Sequence, residues 1–289
     1  MKSRLGRLKN IFANPMQRAR IALLQGAGQK AISDAYVTVM PSPQTAVDIF
    51  EGDWATALPP PFGGYKAGPY PLFQDDRLVW GLKTIGGVVG RTVLELGPLE
   101  GAHTYLLNKL GATDILSIEA NPRAYLKCLI FKEVTGITGA QFQCGDFMQF
   151  LRVTHRKFDL AVGSGVLYHM QAPLELLARL ASTCQIAYLW THYYDAARVP
   201  NAPHLKGRFA DPIVQDFGGF SAQVHPHRYL MDRFKSDFFG GPAPFSCWMT
   251  RDSILAALKH YGFDDVTVGC EEPDHRYAPA LALVARRSS

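Results

Sequence analysis

Short strand-like runs alternate with amphipathic stretches through the middle of the chain. The runs lie at residues 93–96, 115–118, 140–143, 158–162 and 186–190. Stretches with the apolar spacing of helices lie between them, at residues 103–110, 122–134 and 173–181. Strands and helices that alternate at this spacing predict an α/β fold with a largely parallel sheet. We expect its ligand beyond the carboxyl ends of the strands.

Further elements extend this pattern at both ends. Asp75 and Asp76 open a predicted helix that runs to about Ile85, because acidic residues are favoured in a first helical turn. Near the C-terminus, Thr250 is expected to cap a helix that runs through Tyr261. Residues 265–269 and 280–285 then predict two strands, which we expect to pair antiparallel at the edge of the sheet.

Two segments do not follow the alternation. Residues 36–68 are predicted to be loop-like, because Pro41, Pro43 and the prolines at 59–61 oppose regular helices, although residues 45–54 could form one helical turn. Residues 195–249 are rich in glycine, proline, histidine and aromatic residues without strong periodicity, which predicts a lid insertion. We therefore expect a wrapping N-terminal appendage at 1–74 and a main domain at 75–289 that carries this insertion.

The first 33 residues are basic and contain no acidic residue. Leu5, Leu8, Ile11 and Phe12 share one face of a predicted helix, with lysines and arginines around it. Packing on the main domain or on a partner subunit explains such a helix. A membrane-surface contact through residues 1–20, or a nucleic-acid arm, is the alternative.

Composition narrows the class of protein. The chain has 289 residues, 47% of them hydrophobic and 19% charged, which fits one large domain. A net charge of +5 is too mild to indicate nucleic acid as a partner. The five cysteines are scattered and odd in number, which favours reduced thiols and a cytoplasmic location. No apolar stretch approaches the roughly 20 residues of a membrane span, and none follows the basic N-terminus as in a secretory signal.

The segment from Thr92 to Gly101, TVLELGPLEG, carries the first chemical signal. Gly97 and Gly101 let the backbone approach a ligand closely, and the helix start that follows offers free N–H donors. Glu95 would repel a phosphate, so the ligand is expected to be cationic or rich in hydroxyl groups. The chain also has neither a G-x-G-x-x-G motif nor a phosphate-binding P-loop, which argues against a dinucleotide.

Four motifs in order, ELGPLEG, SIEAN, CGDF and FDLAVGSGVLYHM, each follow a predicted strand. In this order the chain resembles the class I S-adenosylmethionine-dependent methyltransferases over roughly residues 75–286. The resemblance implies a Rossmann-like, mostly parallel seven-stranded sheet. It also implies S-adenosylmethionine as the cofactor.

The resemblance assigns roles to individual residues. Glu95 and the glycine turn would hold the methionine end of the cofactor, and Glu119 would accept hydrogen bonds from both ribose hydroxyls. Asp146 would contact the adenine amine beside the ring-stacking Phe147, and Ser164 would lie near the methyl-donating end. The implied cofactor-binding residues are Glu95, Gly97, Pro98, Gly101, Glu119, Ala120, Asn121, Gly145, Asp146, Phe147 and Ser164.

Two positions leave a choice open. Leu99 stands where the family has its middle glycine, which narrows the backbone freedom of the turn. Asp159, at the fourth strand, could contact the cofactor or could cap the strand edge.

The methyl acceptor is expected beside the end of the fourth strand. His169 is the candidate general base there, because histidine titrates near neutrality, although a structural histidine bonded to the lid would look the same. Tyr168, His192 and Tyr193 are the candidate substrate-binding residues, in an aromatic and polar pocket that suits a ring-bearing or sugar acceptor. The alternative to this pocket is a metal held by His192, Asp195, His225 and His227. No metal site is predicted, because their spacing matches no fixed metal-ligand signature.

These features predict a methyltransferase that acts on a hydroxyl or amine of a small molecule or glycan, in a protein expected to be a homo-oligomer. Two alternatives stay open. GVLYH and the closing segment CWMTRDSILAALKHYGFDDV resemble tRNA wobble-uridine carboxymethyltransferases, which use a carboxylated cofactor held partly by a tyrosine at the position of Tyr168. The chain could also be a non-catalytic partner subunit that binds S-adenosylmethionine.

Overall fold

The computed structural model describes residues 32–229 and 243–288 of the chain. The predicted basic helix, with its membrane and nucleic-acid alternatives, therefore lies outside the described residues. The part of the predicted lid at 230–242 lies outside them as well.

The described elements follow the predicted order. The helices are α1 (Pro43–Val47), α2 (Asp76–Thr84), α3 (Ala102–Lys109), α4 (Pro122–Thr135), α5 (Phe147–Val153), α6 (Pro173–Thr183) and α7 (Arg251–His260). The first five strands are β1 (Thr92–Leu96), β2 (Asp114–Glu119), β3 (Ala140–Cys144), β4 (Phe158–Ser164) and β5 (Cys184–His192). The later strands are β6 (Ile213–Phe217), β7 (Phe220–Arg228), β8 (Phe245–Met249), β9 (Asp265–Glu272) and β10 (Ala280–Arg286).

Seven of these strands form the main sheet, in the order β3-β2-β1-β4-β5-β10-β9. Strands β1 to β5 pair parallel to one another, whereas β10 is antiparallel to both β5 and β9. The predicted fold and the antiparallel pair at the edge are thus confirmed. Because β1 to β5 run in the same direction, their carboxyl ends meet at one edge of the sheet.

Alternating side chains of the central strands pack on opposite faces of the sheet. Leu94 and Leu96 of β1 belong to one core cluster, whereas Val93 of the same strand belongs to the other. All three are buried, as expected for a parallel strand covered by helices on both faces. The sheet is therefore a rigid base for the residues at its carboxyl edge.

The wrapping segment contributes to the second of these clusters. Val47, Phe50, Trp54 and Leu58 are buried in the same cluster as Val93. The expectation that Pro43 opposes a helix was wrong. It is the first residue of α1, where proline's missing N–H needs no partner, and Ser42 caps that helix.

One helix and a small sheet were not predicted. Helix α5 follows β3 directly, with the Asp146 side chain accepting a hydrogen bond from Met148 N at its start (2.8 Å). Within residues 195–249, strands β6, β7 and β8 form a separate antiparallel sheet. This sheet is tied to the turn after β4 by a hydrogen bond from Cys247 N to Met170 O (2.7 Å).

All five cysteines are free thiols, of which Cys128, Cys184 and Cys247 are buried. None of the helices in the described ranges is both long and apolar enough to cross a lipid bilayer.

Candidate functional site

Three carboxylates lie at the carboxyl ends of adjacent strands. Glu95 is the fourth residue of β1, Glu119 is the last of β2, and Asp146 follows β3 by two residues. The strands are neighbours in the sheet, so the predicted acidic residues share one edge. Asp146 is exposed, whereas the two glutamates are buried.

Glu95 is fixed from within the core. Its Oε2 accepts hydrogen bonds from the hydroxyls of Ser117 (2.7 Å) and Thr104. Burial raises the pKa of this carboxyl. Both bonds use the same oxygen, so Oε1 stays available to accept a hydrogen bond from a ligand.

Glu119 connects the ends of β1 and β2. Its Oε2 accepts from Leu99 N (3.0 Å), and its Oε1 accepts from Asn121 N (2.8 Å). Burial raises the pKa of Glu119, while these backbone bonds lower it. Each carboxylate oxygen can accept two hydrogen bonds, so the group can hold the turn and still bind two ligand hydroxyls.

The turn after β1 has a left-handed backbone at three positions. The φ angles are 62° at Gly97, 58° at Leu99 and 87° at Gly101. For leucine this conformation costs about 1–2 kcal/mol, and the hydrogen bond from Leu99 N to Glu119 offsets part of that cost. Leu99 therefore adopts a backbone conformation that favours glycine, at the position where the resemblance predicted one.

Several predicted contact residues also have structural tasks. The Asn121 side chain caps α4 by accepting from Arg123 N (2.9 Å), and Gly145 N donates to Glu119 O (2.9 Å). Phe147 is buried in the core, so its stacking on an adenine remains a prediction, as do the contacts of Pro98 and Ala120.

The donor and acceptor chemistry of this edge fits S-adenosylmethionine. Its ammonium, ribose hydroxyls and adenine amine all donate hydrogen bonds, and Glu95, Glu119 and Asp146 all accept them. Gly97 and Gly101 leave room at the turn, where an added Cβ would come within 3.4 Å of Val166 or 3.2 Å of Phe142. These residues can therefore hold that molecule.

A buried charge network, which the sequence analysis missed, attaches the wrapping segment to the turn. Glu100 is 1% exposed and accepts hydrogen bonds from Ala55 N (3.1 Å), Thr56 N (2.6 Å) and Lys127 Nζ (2.8 Å). Lys127 also donates to the backbone oxygen of Asp53. A charged residue between the glycines of the turn was the sequence signal that could have pointed to it.

A second charge network lies on the other side of the turn. Asp75 caps α2 and accepts from Arg77 through Nε and Nη2 (both 2.8 Å), and it is hydrogen-bonded to His103 Nε2 (3.1 Å). The Arg77 guanidinium stacks over the ring of Trp190, 4.1 Å from its centroid. Burial alone would raise the pKa of Asp75, but the bonds from His103 and Arg77 hold it well below its usual value.

This network predicts an acid-dependent loss of stability. A carboxyl whose pKa is depressed by folding stabilises the protein above its unfolded-state pKa of about 3.9, and that stability is lost as the pH falls further. Asp75→Asn retains a capping side chain and removes the charge. We expect it to lower the free energy of unfolding by about 2–3 kcal/mol at pH 7. In urea titrations the difference should shrink towards pH 3; a difference independent of pH would contradict the assignment.

Beyond the ends of β4 and β5, aromatic and histidine side chains from five parts of the chain come together. We call this set the ring cluster: Tyr168, His169, Trp190, His192, Tyr229, Trp248, His275 and Tyr277. The Tyr168 ring centroid lies 4.8 Å from that of His192, which is stacked on Trp248 at 5.7 Å. A cavity of about 200 Å³ adjoins the cluster, with His275 and Tyr277 in its wall.

His169 lies in the 3₁₀ turn Leu167–His169, directly after β4. Its Nδ1 is 2.6 Å from the hydroxyl oxygen of Tyr229, at hydrogen-bond distance. Burial, together with His192 and His227, lowers its pKa to about 3. The imidazole is therefore neutral near pH 7, and its role as general base remains a prediction.

His192, the last residue of β5, is held differently. Its Nδ1 lies 3.0 Å from Ala278 O and 3.3 Å from Pro279 O. Burial and nearby His275 lower its pKa to about 4, against the raising effect of these backbone bonds. The structure thus brings two of the three predicted substrate-binding residues, Tyr168 and His192, into contact.

The third predicted substrate-binding residue lies outside the ring cluster. Tyr193, the residue after β5, is buried in the core cluster that also contains Leu94 rather than in the ring cluster. Ser164 ends β4 opposite Trp190 and is half-buried. Asp159 accepts from Thr92 N and Oγ1 (both 2.8 Å), so it links the starts of β1 and β4, away from the site.

Histidines of the insertion contact tyrosine residues by ring stacking or by a hydrogen bond. His225 stacks on Tyr194 with centroids 3.5 Å apart, and His204 Nε2 donates to Tyr277 O (2.6 Å). Within residues 32–229 and 243–288, no three His, Cys, Asp or Glu side chains are grouped so as to hold a metal ion.

Known structures share this fold. No family model matches the chain. The N-terminal domain of EvdMO1, crystallised in the presence of SAH (S-adenosylhomocysteine) and D-fucose, is 24% identical with a TM-score of 0.63, over 85% of this chain and 95% of that one. Magnesium protoporphyrin IX methyltransferase (ChlM) from Synechocystis PCC 6803, with bound SAH, is 14% identical with a TM-score of 0.50, over 98% of this chain and 100% of that one.

Among curated proteins, a tRNA U34 carboxymethyltransferase of Saccharophagus degradans is 24% identical over 131 residues, 41% of this chain. The match spans 39% of the length of that relative. The fold of the chain is therefore the class I methyltransferase fold that its motifs predicted.

Proposed function

We propose that the protein is a methyltransferase that moves a methyl group from S-adenosylmethionine to a hydroxyl or amine of a small molecule or glycan. The observation that carries this proposal is the set of three acceptors, Glu95, Glu119 and Asp146, at the ends of three adjacent strands beside a left-handed turn. That set matches the three donor groups of the cofactor. The fold shared with methyltransferases that bind SAH supports it.

Bound S-adenosylmethionine would supply an electrophilic methyl group on sulfur. The contribution of the chain would be positioning: Glu119 binds the ribose, Asp146 the adenine amine, and Glu95 with the turn the amino-acid end. The ring cluster excludes water and orients the acceptor at the neighbouring ends of β4 and β5. Alignment of this kind is the main requirement of an in-line displacement.

Calorimetry with SAH tests the cofactor assignment directly. We expect SAH to bind, and ATP to bind far more weakly, because Glu95 at the amino-acid end of the site would lie against the ATP phosphates. Equal affinity for ATP, or no heat with SAH, would contradict the proposal.

The acceptor class requires a separate screen. A defined panel of free monosaccharides including D-fucose, simple phenols and primary amines would be incubated with S-adenosylmethionine, and SAH formation would be measured. D-fucose belongs in the panel because it was present with the EvdMO1 domain. We expect SAH above the acceptor-free rate with at least one hydroxyl or amine compound; a silent panel would reject this acceptor class.

The carboxymethyl alternative is supported by the tRNA U34 carboxymethyltransferase similarity. A carboxylated cofactor would need an uncompensated cation near Tyr168. Arg77 is close, but it donates two hydrogen bonds to Asp75, so its charge is already paired. This pairing favours the ordinary cofactor, and tighter binding of the carboxylated one in the same calorimeter would reverse that choice.

The non-catalytic alternative predicts SAH binding without SAH formation on any acceptor. We favour an enzyme, because the ring cluster adds buried histidines beside the cofactor edge, which a purely binding subunit does not need. Homo-oligomer formation, a cytoplasmic location and contacts of residues 1–20 with a membrane or nucleic acid remain predictions from the sequence.

A further inference from the structure

The histidine best prepared to receive a proton is not the one that the sequence pointed to. Both hydrogen bonds of His192 come from Nδ1 to backbone carbonyl oxygens, Ala278 O and Pro279 O. A carbonyl oxygen can only accept, so Nδ1 carries the hydrogen of the neutral ring. The lone pair is then on Nε2, and the tautomer is fixed by the backbone before β10.

His169 lacks this constraint. Its Nδ1 partner is the hydroxyl of Tyr229, which can either donate or accept, so either nitrogen of His169 can carry the hydrogen. The two imidazoles therefore differ in one chemical respect: only His192 is held as a proton acceptor by groups that cannot reverse the bond.

The position of His192 also suits a reacting acceptor. It ends β5, whose register places Trp190 opposite Ser164 at the end of β4. The ring centroid of Trp190 is 5.1 Å from that of His192, and that of Trp248 is 5.7 Å away. Both indole N–H groups are buried, and no residue in the described ranges accepts a hydrogen bond from either. One acceptor and two donors in an aromatic wall match a ring that bears hydroxyl groups.

We propose that His192 Nε2 binds the acceptor hydroxyl and receives its proton, with the tautomer set by the carbonyls of Ala278 and Pro279. This proposal rests on the proposed methyl transfer and names its base. His169, bonded to Tyr229, then packs against Tyr168 and helps to shape the pocket.

The step balances in charge and atoms. The acceptor oxygen forms a bond to the methyl carbon as the carbon–sulfur bond breaks, and that bond's electron pair stays on sulfur. The O–H bond breaks, its electron pair stays on oxygen, and its proton goes to His192 Nε2. One positive charge is lost at sulfur and one appears on the imidazole, so the buried site gains no net charge. Water takes the proton after release of the products.

Matched variants separate the two histidines. His192→Asn keeps an N–H donor for the two carbonyls and removes the lone pair of Nε2, and His169→Asn is the equivalent change at the other ring. With an active compound from the panel, we expect kcat of His192→Asn to fall by about 10²-fold or more. Its SAH affinity should stay within about threefold of wild type. His169→Asn should lose less than about tenfold, and a larger loss there than in His192→Asn would overturn the proposal in favour of His169.

A second measurement needs no acceptor. Long-range ¹H–¹⁵N spectra of the full chain bound to SAH, assigned with His192→Asn, report which nitrogen of His192 carries hydrogen. We expect the neutral Nδ1–H form at pH 7, and an Nε2–H or doubly protonated ring would overturn the proposal whatever the variants do. If no compound of the panel gives SAH and the spectra show the Nδ1–H form, the proposed acceptor class is rejected. The proposed tautomer of His192 is then confirmed independently of that class.

Discussion

Glu100→Ala is expected to lower the free energy of unfolding by about 3–5 kcal/mol, the usual cost of removing one partner from a buried ion pair. Glu100 is 1% exposed, and its loss would leave Lys127 Nζ with only the more distant Asp53 carboxylate, at 3.7 Å instead of 2.8 Å, as an ion-pair partner. The backbone N–H groups of Ala55 and Thr56 would lose their acceptor as well. An unsatisfied buried donor adds its own desolvation cost.

Urea unfolding of the full chain measures this effect. Glu133→Ala is the control, because Glu133 is exposed on the same helix as Lys127, and we expect a change of less than about 0.5 kcal/mol. A double-mutant cycle with Glu100→Gln and Lys127→Met would measure the coupling of the pair. A loss below about 1 kcal/mol for Glu100→Ala would show that the network contributes little to stability.

Hydrogen exchange gives a local measure of the same contact. If Glu100 holds the wrapping segment, Glu100→Ala should accelerate exchange at the amides of Ala55 and Thr56 relative to the wild type. The amides of β1, which lie in the sheet, should be accelerated much less. Uniform acceleration over the chain would indicate global destabilisation instead.

The central strands of the main sheet were predictable because they are buried on both faces and end at turn residues. The predicted run 93–96 differs from β1 by one residue, since Gly97 ends the strand in both cases. Side chains of these central strands pack in core clusters on both faces of the sheet, so local patterns and the final fold agree. The predicted helix 122–134 likewise differs from α4 by one residue, with Pro122 at its start.

The insertion was not predictable in the same way. Strand β6 has no buried residue and shows no alternation. In β7, Phe220, Ala222 and Val224 do alternate with polar residues, but Pro226 interrupts the run and weakens it as a strand signal. These strands form because they pair with each other and with β8. Their pairing depends on contacts far apart in sequence, which periodicity does not record.

The same difference between local patterns and long-range contacts applies to the residues of the site. Glu95 and Glu119 could be placed because a strand end fixes where a side chain emerges. The partners of Glu100 could not be placed, because they are 27 to 45 positions away from it in the chain. For His192 the residue was identified, but its tautomer depends on carbonyls 86 and 87 positions further along the chain.

Glu119→Ala is expected to weaken SAH binding by about 10²-fold. The substitution removes a charged acceptor for two ribose hydroxyls, and hydrogen bonds to charged groups contribute about 1.5–3 kcal/mol each. It also releases Leu99 N, so the left-handed backbone at Leu99 loses the bond that offsets its strain. Since 1.4 kcal/mol corresponds to a tenfold change in affinity, a net loss near 3 kcal/mol gives this magnitude.

Asp114→Ala is the matched control for that measurement. Asp114 begins β2 and Glu119 ends it, so the two carboxylates lie at opposite ends of one strand. Asp114 is exposed and paired with Arg156 (2.6 Å), and we expect its removal to leave SAH affinity unchanged. Calorimetry should therefore show the loss only for Glu119→Ala. If both variants bind SAH as tightly as the wild type, the ribose assignment is contradicted. If both lose affinity equally, the effect belongs to the strand rather than to the carboxylate at its end.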